Sequence, residues 1–139
     1  MQMKQPLLIF CFLLGINSSF GQTVVQGNEK DERIVFVKVE IEAQFPGGDK
    51  AWGLFLQKNL NAAVPINNGA KQGRYTVITK FIVNKDSTLT DIVCENDPGY
   101  GICQEAIRII KLTEKWEPAI QNGRVVNSYR RQPFTFVVE

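Results

Sequence analysis

Cys94 and Cys103, separated by Glu95-Asn96-Asp97-Pro98-Gly99-Tyr100-Gly101-Ile102, are the side chains here best suited to covalent chemistry. Their spacing is too wide for a C-x-x-C redox motif. The sequence contains no histidine to complete a zinc site. In an oxidising compartment the chemistry open to them is a disulfide, worth about 2–3 kcal/mol on the loop-entropy model. The other reading is a pair of half-buried free thiols at a strand end and a helix start. Without histidine, Ser-His and Cys-His nucleophile pairs are excluded as well. Glu114 and Glu117 flank Trp116, but solvated charges at a helix exit fit that pattern better than a catalytic pair. Gly47-Gly48 lacks the lysine and the serine or threonine of a phosphate-binding loop. The expectation is therefore no enzyme, no catalytic residue, no metal and no cofactor.

Binding is the remaining chemistry, and the last third of the chain is where it is expected. Trp116-Glu117-Pro118-Ala119-Ile120-Gln121-Asn122-Gly123-Arg124 reads as a helix exit and a tight Asn-Gly turn. A long apolar strand follows and contains Pro133. Proline donates no ladder hydrogen bond, so this strand is expected at a sheet edge, with backbone groups free to pair with another chain. The residues expected to bind are Asn127, Ser128, Tyr129, Arg130, Arg131, Gln132, Phe134, Thr135, Phe136 and Val137. Arg130-Arg131 is the only basic pair, and the formal net charge is +2. That is too little concentrated positive charge for a nucleic-acid surface.

The elements that must position this strand begin after an address. Lys4 precedes an apolar run from Pro6 to Ile16, and Ser19-Phe20-Gly21 supplies small residues for a signal peptidase. Residues 1–21 are expected to be a signal peptide cut at Gly21/Gln22. The run is about half of the roughly 20 residues that span a bilayer, and no other stretch is apolar enough. Cys11 is a poor lipoprotein site. The expected location is the periplasm with no stable membrane anchor; the alternative is an inner-membrane anchor through an uncleaved signal. Residues 22–33 are polar and read as a flexible leader. One domain, residues 34–139, follows.

Within it, Val35, Val37, Val39 and Ile41 alternate with polar residues and predict an N-terminal strand or extended segment. Asp49 is expected to open a helix with Trp52, Phe55, Leu56 and Leu60 as its core stripe. Val64–Ala70 reads as a loop. Strands are expected over Arg74–Val83 and Thr88–Cys94, joined around Asn84-Lys85-Asp86-Ser87. A second helix buries Ile102, Ala106, Ile109 and Ile110, with Glu105, Arg108 and Lys111 outward. The fold class is α+β, with two helices on one face of a three-stranded antiparallel sheet.

Phe45-Pro46-Gly47-Gly48-Asp49-Lys50-Ala51-Trp52, Gly73-Arg74-Tyr75-Thr76-Val77, Phe81-Ile82-Val83-Asn84-Lys85-Asp86, Gly99-Tyr100-Gly101, the W-x-P-A-I-Q-N-G-R segment and Tyr129-Arg130-Arg131-Gln132-Pro133-Phe134-Thr135-Phe136 occur in order. Together they resemble the C-terminal domain of TonB in its Bacteroidetes version. Ser87 departs from it, standing where the family's hairpin has glycine, which implies altered or strained turn geometry. The resemblance implies a domain that grips the box peptide of an outer-membrane receptor by adding it as a strand beside its own last strand. It implies as partners an outer-membrane receptor or another envelope protein. Full TonB has an N-terminal anchor and a long Pro-rich spacer; neither is read in this chain, so a free periplasmic TonB-like module is expected. The second reading is a self-pairing structural module, a homodimer through two final strands.

Overall fold

The computed structural model describes residues 34–139. The signal peptide expected over 1–21, its cut at Gly21/Gln22 and the whole of the leader, residues 22–33, therefore lie outside the described residues. The folded unit is Val35–Glu139.

Five strands and three helices are found among the described residues: β1 Val35–Phe36, α1 Gly48–Asn59, α2 Val64–Asn67, β2 Gly73–Val83, β3 Leu89–Cys94, α3 Ile102–Thr113, β4 Ala119–Gln121 and β5 Arg124–Val138. The sheet order is β1-β5-β2-β3, and β4 pairs with β5. β2 pairs antiparallel with both β3 and β5, while β1 runs parallel to β5 at Asn127 and Ser128. The class is α+β, as expected, but the sheet is mixed and has more than three strands.

The N-terminal segment differs most from its pattern. Only Val35–Phe36 is a strand; Val37 is 72% exposed. The chain then bends back along β4, where Ile41 and Ile120 exchange both backbone hydrogen bonds, at 3.1 and 2.9 Å. Glu40 accepts from the Asn122 N–H at the tip of the β4–β5 hairpin. Wrapping this hairpin breaks the two-residue alternation, and Ala43 becomes the buried residue.

Helix α1 starts on Gly47 (φ 93°), and a Cβ there would lie 2.7 Å from the Ala51 Cβ. Glycine is thus required by both backbone and space. Asp49 makes no cap bond and sits in the first turn, where its charge suits the helix dipole. Val64–Asn67, expected as a loop, is a short helix with Pro65 in its first turn, a position that tolerates the missing N–H.

The core lies between the helices and the sheet. Trp116, 2% exposed, is its centre, with Phe81 and Trp52 edge-on at 5.1 and 5.6 Å. Its indole N–H donates to Thr113 Oγ1, so burial leaves no donor unpaired. Trp52, Phe55, Leu56 and Leu60 pack against this core as a half-buried stripe. Ile102, Ala106, Ile109 and Ile110 are fully buried, as their spacing predicted.

Glu105 was expected outward and is buried, 6% exposed. It accepts hydrogen bonds from the Asn61 backbone N–H and from Arg108, whose guanidinium also donates to Asn59 O. Together they tie α3 to the end of α1. Burial pushes the Glu105 carboxyl up, but the bonds from Arg108 and Asn61 outweigh it and hold the group below its usual value.

Candidate functional site

β5 was expected at the edge of the sheet. The edges are instead β1 and β3, and β5 lies inside. The correction is partial, because β1 is two residues long, pairs with Asn127 and Ser128 and reaches no further than the Tyr129 N–H. Beyond that point, among the described residues, no strand pairs with that side of β5.

Ladder phase decides which backbone groups face the open side. Ile78 pairs with Pro133. Its N–H, however, donates to Asn96 Oδ1 and its C=O accepts from the Glu95 N–H, both on the β3 side. Ile78–Pro133 is therefore a non-hydrogen-bonded pair, and the bonded partners of β2 are the even residues of β5. The N–H and C=O groups of Arg131, Thr135 and Val137 and the C=O of Tyr129 point to the open side, while the Tyr129 N–H faces the Phe36 C=O of β1. At Pro133 only a C=O points to the open side, and the Gln132 side-chain amide donates to it at 3.3 Å.

The expected binding residues fall on two faces. Ser128, Phe134 and Phe136 turn inward and are buried, and Arg130 and Gln132 are half-buried beside them. Asn127 is also buried, its Oδ1 accepting from the Lys85 N–H. Tyr129, half-buried, and the exposed Arg131, Thr135 and Val137 lie on the outer face. Thr135 is joined to Thr76 through their hydroxyls at 3.0 Å. Lys80 Nζ lies 4.4 Å above the Tyr129 ring, a cation–π contact.

Both arginines are already engaged. Arg130 Nη1 lies 2.9 Å from Glu42 Oε2, and its guanidinium is 6.0 Å from the Trp116 ring. Arg131 grips Glu95 with two nitrogens, and these bonds hold the Glu95 carboxyl below its usual value. Sequence reasoning missed both glutamates. Glu42 is 88 positions from Arg130, so no local signal pairs them; Glu95 adjoins Cys94, which is the one cue available.

Cys94 and Cys103 are joined as a disulfide, with Cα atoms 6.1 Å apart. It closes the loop that carries Glu95, Asn96 and three successive left-handed residues, Gly99, Tyr100 and Gly101. The staple thus anchors the β3-side segment that fixes the phase of Ile78. An apolar groove of about 590 Å³ also opens on α1, lined by Phe45, Ala51, Leu54, Phe55, Gln57 and Lys58. Among the described residues no cluster of metal ligands occurs, and no helix is long and apolar enough to cross a membrane.

No curated protein and no solved structure matches this chain. Residues 69–138 match the family model described as the Gram-negative bacterial TonB protein C-terminal. That span holds β2, β3, the disulfide, α3, β4 and β5, and so the whole ladder that orients the open side of the last strand. The chain belongs to the TonB C-terminal family.

Proposed function

We propose that this protein is a periplasmic TonB-like binding module that takes up an extended segment of an envelope protein along the open side of β5. The box peptide of an outer-membrane receptor is the first such segment, and the role is in TonB-dependent transport. The observation that carries this reading is the row of outward backbone groups, the C=O of Tyr129 and the N–H and C=O of Arg131, Thr135 and Val137, beside the ladder to β2. Main-chain pairing needs no particular ligand sequence. Each bond contributes about 0.5–1.5 kcal/mol net, so binding is of modest strength. Family membership supports the same reading.

Arg130 and Arg131 enter differently from the sequence expectation. Each is committed to a carboxylate of its own chain, so an acidic ligand would have to displace Glu42 or Glu95. Specificity rests instead on the outer-face side chains around Tyr129, Thr135 and Val137.

The test is titration of the protein with receptor box peptides, followed by amide NMR. Saturable binding that shifts and protects the Arg131, Thr135 and Val137 amides supports strand addition at β5. Binding that leaves these amides unchanged places the ligand elsewhere, and no binding alongside capture of another envelope protein sets the receptor reading aside.

A further inference from the structure

The middle of the open side of β5 is closed in two ways at one residue. Pro133 offers no N–H there, and its C=O is occupied by the amide of Gln132. Pro133 is exposed, and its missing donor costs the β2 ladder nothing, because Ile78 directs both its backbone groups away from β5. Gln132 is half-buried and its own C=O is held by Thr79 Oγ1 at 2.8 Å, so the residue that supplies the amide is anchored. The groups that remain form two short stretches, one from the Tyr129 C=O to Arg131 and one over Thr135–Val137.

We propose that Pro133 and Gln132 together guard this edge against a second copy of the chain, while leaving it open to a single extended strand from a different protein. The physical basis is counting. Two copies of β5 paired about a two-fold axis bring one Pro133 each, so two ladder bonds are missing and two Gln132 amides must be displaced. A strand from another protein meets one of each. At about five-fold in association per hydrogen bond, the two missing ladder bonds alone weaken self-pairing by about thirty-fold, and displacing the two amides adds to this. An unguarded edge of this length is a template for self-association. That a foreign strand enters rests on the docking reading above; exclusion of the second copy does not.

The experiment compares the native protein with P133V and with the double variant Q132V/P133V, by sedimentation equilibrium and amide exchange. The native chain is expected to be monomeric, with fast exchange at Arg131 and Thr135. The double variant is expected to dimerise more than about thirty-fold more tightly, with those two amides protected in the dimer. P133V alone, at a position that makes no ladder bond to β2, keeps the test open should the double variant not fold. It is expected to give part of the same shift. A native dimer with protected Arg131 and Thr135 amides would overturn the proposal. So would folded variants that stay monomeric, or that dimerise without protecting those amides. Failure of box peptides to bind would remove the docking reading and leave the guard standing.

Discussion

Ile78 and Pro133 face each other across the β2–β5 ladder without sharing a hydrogen bond, because the N–H and C=O of Ile78 are both taken on the β3 side. That single phase relation places a proline inside a long paired strand without loss and aims the backbone of Arg131 and Thr135, two residues to either side, outward.

Amide exchange reads this phase directly. Gln132, Phe134 and Phe136 direct their N–H groups to β2, whereas Arg131, Thr135 and Val137 direct theirs to the open side. The two sets are expected to separate by orders of magnitude in protection. Equal protection along β5 would show the open side to be covered.

Ser87 adopts a left-handed conformation, φ 76°, in the β2–β3 turn, where a side chain is strained. Its N–H bonds to Asn84 O and its C=O accepts from Trp116, so the turn cannot relax freely. S87G is expected to stabilise the fold by about 1 kcal/mol, the relief of strain exceeding the added chain entropy. A urea midpoint that falls would contradict this.

The Glu105 carboxyl is held below its ordinary value of 4.5. A depressed folded-state value means that its contribution is complete above about pH 4.5, the unfolded value, and is lost as pH falls through the lower folded value. At pH 7, E105Q is expected to cost about 1–2 kcal/mol, since it weakens charged hydrogen bonds to Arg108 and Asn61. In strong acid the variant and the native protein should converge. Parallel stability curves from pH 7 down to strong acid would remove Glu105 as the cause.

Reduction of Cys94–Cys103, or the double change C94S/C103S, is expected to lower stability by about 2–3 kcal/mol for a loop of this length. Denaturant titrations with and without reductant measure it. The effect should be confined to stability, with the Arg131 amide still outward, because Asn96 continues to hold Ile78 through its side chain.

Much of the fold was legible from neighbours along the chain. The apolar faces of α1 and α3, the extents of the long antiparallel strands and the Asn122-Gly123 turn are each written in residue type and short-range periodicity. Asn122 and Gly123 take the positive φ values, 53° and 72°, that such a turn requires. Ser87 was read as a misfit because it stands where the family's hairpin has glycine. The residues expected to bind all lie on β5, but their division into inward and outward sets could not be counted without the register to β2.

The sequence by itself determined the α+β class, the family motifs, the helical core stripes and which two cysteines were available to pair, because these depend on residue type and short-range periodicity. Only the tertiary structure decided that β5 lies inside a mixed sheet, that β1 stops after Phe36, and that Glu105 is buried. The same holds for the pairing of Arg130 with Glu42 and of Arg131 with Glu95. Each of these is a contact between distant segments, set by how the N-terminal segment wraps the β4–β5 hairpin and by the phase of Ile78 against Pro133. Short-range pattern carries no information about either.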